Sequence, residues 1–390
     1  MGKFTSSNDY AGPYFILRHD RLRPGDIILE RGYEMHSDII CKQTGGHYSH
    51  AMIYVGGTII EATRAGGVFS RIPNRSAVRA ISDFKVLRLA RDPGQEITTI
   101  VCNQARYLVG SQYSVAEAIL VKGPEFTRQF RENSRKQFCS RLVAQCFKKA
   151  GINLVSDANF CSPADLERCG LLVTVPDMVR PASENEAAFA LEVSPHASHA
   201  KNTVRFVETA LGILKNHGIK TVGDSDGEVT VTTLNDITQA VFENRTSPGL
   251  DGEMTEAMQE SGYLNHIEMD RQQNPFRYDF DLFSARIGQD ADDNEIYERL
   301  LGEIRKEAKV LLPRLQSYIN GKNNLVWDLE YFKAEFSIYE SLLQALYDRT
   351  VIIEQYSVLK KDIPFFSEIY ERSNAILNVI REHAPEIAVS

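Results

Sequence analysis

The spacing of apolar residues changes along the chain, and that change limits the folds open to it. Between residues 26 and 89 the apolar residues come in short runs rich in isoleucine and valine, broken by glycine, proline and polar clusters. Asp26–Leu29, Ala51–Val55, Thr58–Ala62, Gly67–Ile72 and Phe84–Leu89 read as strands. Gly56-Gly57 is a two-residue hairpin signal, because both central residues of such a turn adopt positive φ. Ser37–Gln43 reads as a short helix with Ser37 as its N-cap, and helices are expected over 95–109 and 139–150, the second ended by Gly151. Beyond residue 200 the spacing turns helical, over 202–216, 292–319, 325–349 and 364–382, with a turn and short strand at 223–231 and a loop at 246–252. Ile296, Leu300, Ile304, Ala308, Leu311 and Leu315 form one apolar stripe, expected to face a core or a partner helix. The fold class expected is α+β: a small antiparallel β-sheet or barrel plus helices, followed by a mainly α-helical domain.

At 390 residues the chain exceeds one typical core, so two domains are expected. Charge divides it further. Residues 1–180 hold 24 basic and 17 acidic residues, a net of +7, whereas 181–390 hold 20 and 35, a net of −15. With Pro176, Pro181 and Ser183 breaking the pattern, the boundary is expected near 180, giving an extension over 1–21, one domain over 22–180 and a helical accessory domain over 181–390. The basic half suits an anionic surface or substrate, or the acidic half of its own chain. No stretch is long and apolar enough for a membrane-spanning helix, and the first residues lack a secretory signal's apolar core. Six cysteines without a Cys-x-x-Cys pair suggest reduced thiols. A cytoplasmic site of synthesis is therefore expected, with export by a signal-independent route left open. His36, His47 and His50 lack metal-ligand spacing, and no P-loop, dinucleotide fingerprint or nucleic-acid motif occurs, so neither metal, cofactor nor nucleic acid is expected.

Cys139 opens the helix that begins Cys139-Ser140-Arg141-Leu142-Val143. A thiol there meets the positive end of the helix dipole, which favours the thiolate. His50, at the head of the apolar run Ala51–Val55, is suited to hold that thiolate and move its proton. Glu61 sits between Ile60 and Ala62, an awkward place for a carboxylate unless it is paired. The Gly56-Gly57 hairpin brings Glu61 back toward His50, so Cys139, His50 and Glu61 form a candidate nucleophile, base and orienting group. The backbone N–H of Cys139 is a candidate oxyanion donor.

Several pieces occur in an order that resembles the circularly permuted, papain-like cysteine peptidases of the NlpC-type superfamily, YiiX-like branch. They are Leu22-Arg23-Pro24-Gly25-Asp26, Gln43-Thr44, Tyr48-Ser49-His50, Ile60-Glu61-Ala62, Gly67-Val68, Phe138-Cys139-Ser140 and Ser162-Pro163-Ala164-Asp165. The resemblance covers about residues 22–175 and implies a permuted papain-like catalytic domain with the histidine ahead of the cysteine. It implies Cys139 as nucleophile, His50 as base and Glu61 as orienting residue, with Gln43, Tyr113 and Ser140 as substrate-side or oxyanion candidates. The family often has Tyr-Asp where this chain has Tyr113-Ser114, a departure from the family's pattern at that point. The chemistry implied is acyl transfer through a thioester, on an amide or peptide-like bond. Kinship with lecithin-retinol acyltransferases keeps a lipid-directed thioesterase, phospholipase or acyltransferase as an alternative, and a non-catalytic interaction protein is a third. Partners expected are a peptide-like or acyl-lipid substrate and peripheral contact with an anionic surface. The oligomeric state is left open.

Overall fold

The structure, a computed structural model, describes residues 10–63, 67–111, 138–192, 195–219, 233–289 and 291–389. It divides into two compact units, Met1–Glu243 and Asn244–Ser390. In the first, chain order runs β1 (Phe15–Leu17), β2 (Ile27–Glu30), α1 (Met35–Thr44), β3 (His50–Tyr54), β4 (Ile59–Thr63), β5 (Gly67–Arg71), β6 (Phe84–Leu89) and α2 (Gln95–Tyr107). There follow α3 (Cys139–Lys149), α4 (Pro163–Glu167), β7 (Leu172–Thr174), β8 (Val179–Pro181), α5 (Glu184–Leu191), α6 (Pro195–Asn216) and α7 (Leu234–Glu243).

Six strands form one antiparallel sheet in the order β5-β4-β3-β2-β6-β7, while β1 pairs separately with β8. Gly56 and Gly57 take φ of 89° and 80°, and Val55 N–H bonds Thr58 C=O at 2.9 Å, so the hairpin closes as its sequence requires. Strand alternation then sorts side chains to two faces. Ile27, Leu29, Ala51, Ile53, Ile60 and Ala62 pack against Val101 and Ala105 of α2 and Leu142, Val143 and Cys146 of α3. Ile28, Met52, Tyr54, Ile59 and Val86 face the other way, against Leu17, Val78 and Met178. Each fully buried isoleucine, leucine, valine or methionine among them contributes about 1.5–3 kcal/mol by leaving water.

Some expectations shift. Ser37 is not the N-cap of α1; Glu34 is, and Ser37 lies one turn inside with its side chain buried against Gly32. The compact units part at residue 243, not at the expected 180. The reason is that α5, α6 and α7 are fastened to the sheet unit. Arg75 bonds the Phe189 carbonyl at 2.8 Å, Val204 of α6 lies against Gly67, and Tyr107 donates to Asp236 of α7. Counted to Glu243 the sequence holds 28 basic and 26 acidic residues, so the charge contrast that marked the earlier boundary largely disappears from this unit.

The second unit is helical: α8 (Leu250–Glu260), α9 (His266–Gln273), α10 (Phe280–Gly288), α11 (Asp293–Asn324), α12 (Glu330–Leu359) and α13 (Phe366–His383). Helix α8 begins inside the segment expected as a loop, and the Asp251 carboxylate accepts the Glu330 and Tyr331 amides at the start of α12. Ile296, Leu300, Ile304, Leu311 and Leu315 are buried as expected, but Ala308 is exposed and Glu307 takes the inward place beside it. Arg349 explains the exchange: it meets both Glu307 carboxylate oxygens at 2.8 Å in the interior of the unit. The expected turn and strand at 223–231 fall outside the described residues.

Candidate active site

Cys139 is the first residue of α3, and Phe138 before it is extended, so the thiol stands where the helix's unpaired amides gather. It is buried, with its sulfur 4.0 Å from the Ser49 carbonyl oxygen. His50 is the first residue of β3, adjoining Ser49, and its imidazole is electrostatically coupled to the Cys139 thiol. His50 Nε2 lies 2.7 Å from Glu61 Oε2, which leaves Nδ1 as the ring nitrogen not engaged by the carboxylate. The sheet register accounts for the pairing with Glu61. Ile53 stands opposite Ile60, so continuing the alternation places His50 and Glu61 diagonally on one face.

Two layers meet at this point. Helix α3 packs on the sheet face that carries Ala51 and Ile53, whereas His50 and Glu61 belong to the opposite face with Met52. The meeting point is the first residue of the strand, just after the Ser49 carbonyl that the sulfur approaches. His50 occupies that position.

Electrostatics follow from burial and pairing. Burial pushes the His50 pKa down, but the hydrogen bond and charge of Cys139, with those of Glu61, outweigh it and hold the ring up at about 10. Burial pushes Glu61 up, yet Arg71 and His50 hold its carboxyl down at about 2. For Cys139 burial likewise opposes ionisation, while His50 and the amides of Ala51 and Ser140 bring the thiol below an ordinary cysteine. The arrangement favours a thiolate–imidazolium pair.

The remaining expected residues fare unevenly. Ser140 Oγ donates to the Cys161 carbonyl at 2.6 Å, so its hydroxyl is engaged in holding the α3 start, while its N–H faces the Cys139 sulfur. Gln43 is exposed on α1, and the ring nitrogen it could have oriented is held by Glu61 instead. Tyr113 lies outside the described residues. His36 and His47 take separate carboxylates, Glu34 at 3.1 Å and Asp83 at 2.9 Å. Among the described residues no group of three or more His, Cys, Asp or Glu is gathered as a metal site.

Sequence reading missed Arg71, the last residue of β5, whose Nε faces Glu61 Oε1. Its one sequence signal is parity: in Gly67–Arg71, Val68 faces the helices, so Arg71 shares the face of Glu61.

Comparison with known proteins bears on the same segment. Residues 21–167 match the family model described as permuted papain-like amidase enzyme, YaeF/YiiX, C92 family. A solved structure described as metalloprotein YiiX from Escherichia coli O157:H7 is 18% identical, covering 39% of this chain and 96% of that one, with a TM-score of 0.30. No curated protein matches the chain.

Proposed function

Taking residues 21–167 as a permuted papain-like, YiiX-like domain, we propose that the protein is a cysteine hydrolase of amide or peptide-like bonds, with Cys139 as nucleophile, His50 as acid and base, and Glu61 as orienting group. The observation that carries this reading is that Cys139 lies buried at a helix start, its sulfur 4.0 Å from the Ser49 carbonyl oxygen just before His50, while His50 Nε2 is held 2.7 Å from Glu61 Oε2. The Cys139 thiolate attacks the carbonyl carbon, and the carbonyl π pair moves to oxygen. In this reading the Cys139 N–H, at the helix start, donates to that oxyanion. The tetrahedral species collapses as the C–N bond breaks and His50 gives its proton to the departing amine, leaving a thioester on Cys139. Water then attacks the thioester while neutral His50 takes its proton. Collapse of this second intermediate returns carboxylic acid, thiolate and imidazolium. In this reading Glu61, bonded at Nε2, fixes the ring so that Nδ1 carries the proton transfers with Cys139.

The test uses the full chain incubated with cell-wall peptide fragments and, separately, with lipid vesicles, followed by intact mass and peptide mapping. An acyl adduct confined to Cys139, discharged by hydroxylamine and absent from Cys139→Ala, supports the reading. The peptide arm is expected to give it. An adduct in the lipid arm alone transfers the same machinery to acyl lipids. Turnover of a peptide substrate that survives in Cys139→Ala overturns the assignment.

A further inference from the structure

Glu61 is a carboxylate with a 6% exposed side chain, and a buried carboxylate beside a catalytic imidazole raises a problem of charge. Left unbalanced, its negative potential would hold the proton on His50 too firmly to be given up and would oppose thiolate formation at Cys139. The structure supplies a counter-charge from the neighbouring strand. Arg71, with 11% of its side chain exposed, presents Nε to Glu61 Oε1, the oxygen that His50 leaves free.

The rest of that guanidinium is fixed. Nη1 donates to the Arg75 carbonyl at 3.0 Å, and Nη2 lies 2.9 Å from the Met52 sulfur and 3.5 Å from Glu30 Oε2. Glu30 stands directly across from His50 on β2, is itself bonded by Ser76 Oγ at 2.9 Å, and at 21% side-chain exposure is the more solvated of the two carboxylates. Arg75 is occupied elsewhere, paired with Glu192 at 3.2 Å and stacked over Phe189. Among the described residues, the charged groups around His50 are Cys139 from α3, Glu61 from β4, Glu30 from β2 and, through Glu61, Arg71 from β5.

We propose that Arg71 is a positioning residue: it turns Glu61 toward His50 and balances its charge, so that the imidazole meets a neutral acceptor pair rather than a bare carboxylate. This rests on the reading of Cys139 and His50 as nucleophile and base. A carboxylate paired with a cation still orients the ring but raises its basicity less than a lone carboxylate would. A lysine cannot reproduce the guanidinium's reach to Glu61, Glu30 and the Arg75 carbonyl together, although it keeps the charge.

The experiment follows Cys139 alkylation by iodoacetamide against pH in the full chain, read by peptide mapping, for wild type, R71Q, R71K and E61Q/R71Q. In R71Q the imidazolium keeps Glu61 ionised, so both limbs of the profile should move up by about one pH unit, a tenfold fall in rate on the acid limb. R71K should stay near the wild-type limbs. The double variant, with a neutral amide at 61 and no cation at 71, should return toward them, which a purely structural role for Arg71 does not produce. An R71Q profile superimposed on wild type, or R71K displaced as far as R71Q, overturns the proposal. Should R71Q fail to fold, the double variant decides alone: wild-type limbs support the proposal and upward-shifted limbs overturn it. Loss of selective Cys139 labelling in the wild type itself would instead sink the assignment of the nucleophile.

Discussion

His50 Nε2 and Glu61 Oε2 lie 2.7 Å apart on strands joined by the Gly56-Gly57 turn, so the orienting pair of the site is a single hairpin. Cys139, the proposed nucleophile, arrives separately, on a helix that begins 89 residues after His50 and packs on the opposite face of the sheet.

Cys139 is expected to alkylate ahead of the other five cysteines at neutral pH. Its thiol is brought down by His50 despite burial, whereas burial pushes Cys146 and Cys161 well up, and Cys41 and Cys102 upward as well. Limited iodoacetamide labelling with mass-spectrometric mapping checks it. Even labelling across the six would remove Cys139 as nucleophile.

Replacing Glu61 acts on stability and chemistry together. Glu61→Ala strands a buried Arg71, and the loss is expected to be about 3 kcal/mol in urea unfolding. Hydrolysis should fall about a hundredfold as the imidazole loses its orienting partner. Glu61→Gln keeps an acceptor for Nε2 and should retain more activity than alanine. Equal activities for the two variants would show that the carboxylate position does not orient His50.

Stability should weaken at both ends of the pH range, by opposite linkages. Glu61 is held down at about 2, so its contribution is present above the unfolded carboxyl value and disappears as pH falls through about 2. His50 is held up at about 10, so its contribution is full below the unfolded histidine value and is lost as pH rises through about 10. Urea midpoints measured from pH 2 to 11 report both. Glu61→Gln should flatten the acid side, and an unchanged acid side in that variant would contradict the pairing.

The boundary between units predicts which fragment works. Residues 1–243 expressed alone should keep the selectively reactive thiol, because α5, α6 and α7 stay with the sheet. Residues 1–180 should be poorly folded, since removal of α6 and α7 uncovers Gly67 and Gly110, where Val204 and Leu234 pack. Proton NMR dispersion and labelling of the two fragments distinguish them. A well-folded, reactive 1–180 fragment would restore the earlier boundary.

In the helical unit, Arg349→Met leaves Glu307 without its bidentate partner and should cost about 3–5 kcal/mol. The double replacement Glu307→Leu/Arg349→Met should recover much of that loss in thermal melts, because it leaves neither buried charge unpaired. Failure of the double variant to recover would show that the pair sets helix register as well as charge balance.

The sequence by itself determined what depends on neighbours along the chain. Short apolar runs bounded by turn residues marked the strands, paired glycines fixed the hairpin carrying His50 and Glu61, and the start of an amphipathic helix marked Cys139. Each of these is local: a turn type, a strand register or a helix end is decided within about a dozen residues. Tertiary structure alone decided the rest. Arg71 joins the site only because β5 pairs with β4, and β7 joins the sheet beside β6 from more than eighty residues away. Glu307 displaces Ala308 from an apolar stripe because a cation on another helix faces it, something the stripe's own spacing cannot register. Composition placed the boundary at the change in charge, but packing placed it where the last helix fastened to the sheet ends. Charge along a sequence is additive, whereas a domain's edge is set by which surfaces are buried against each other.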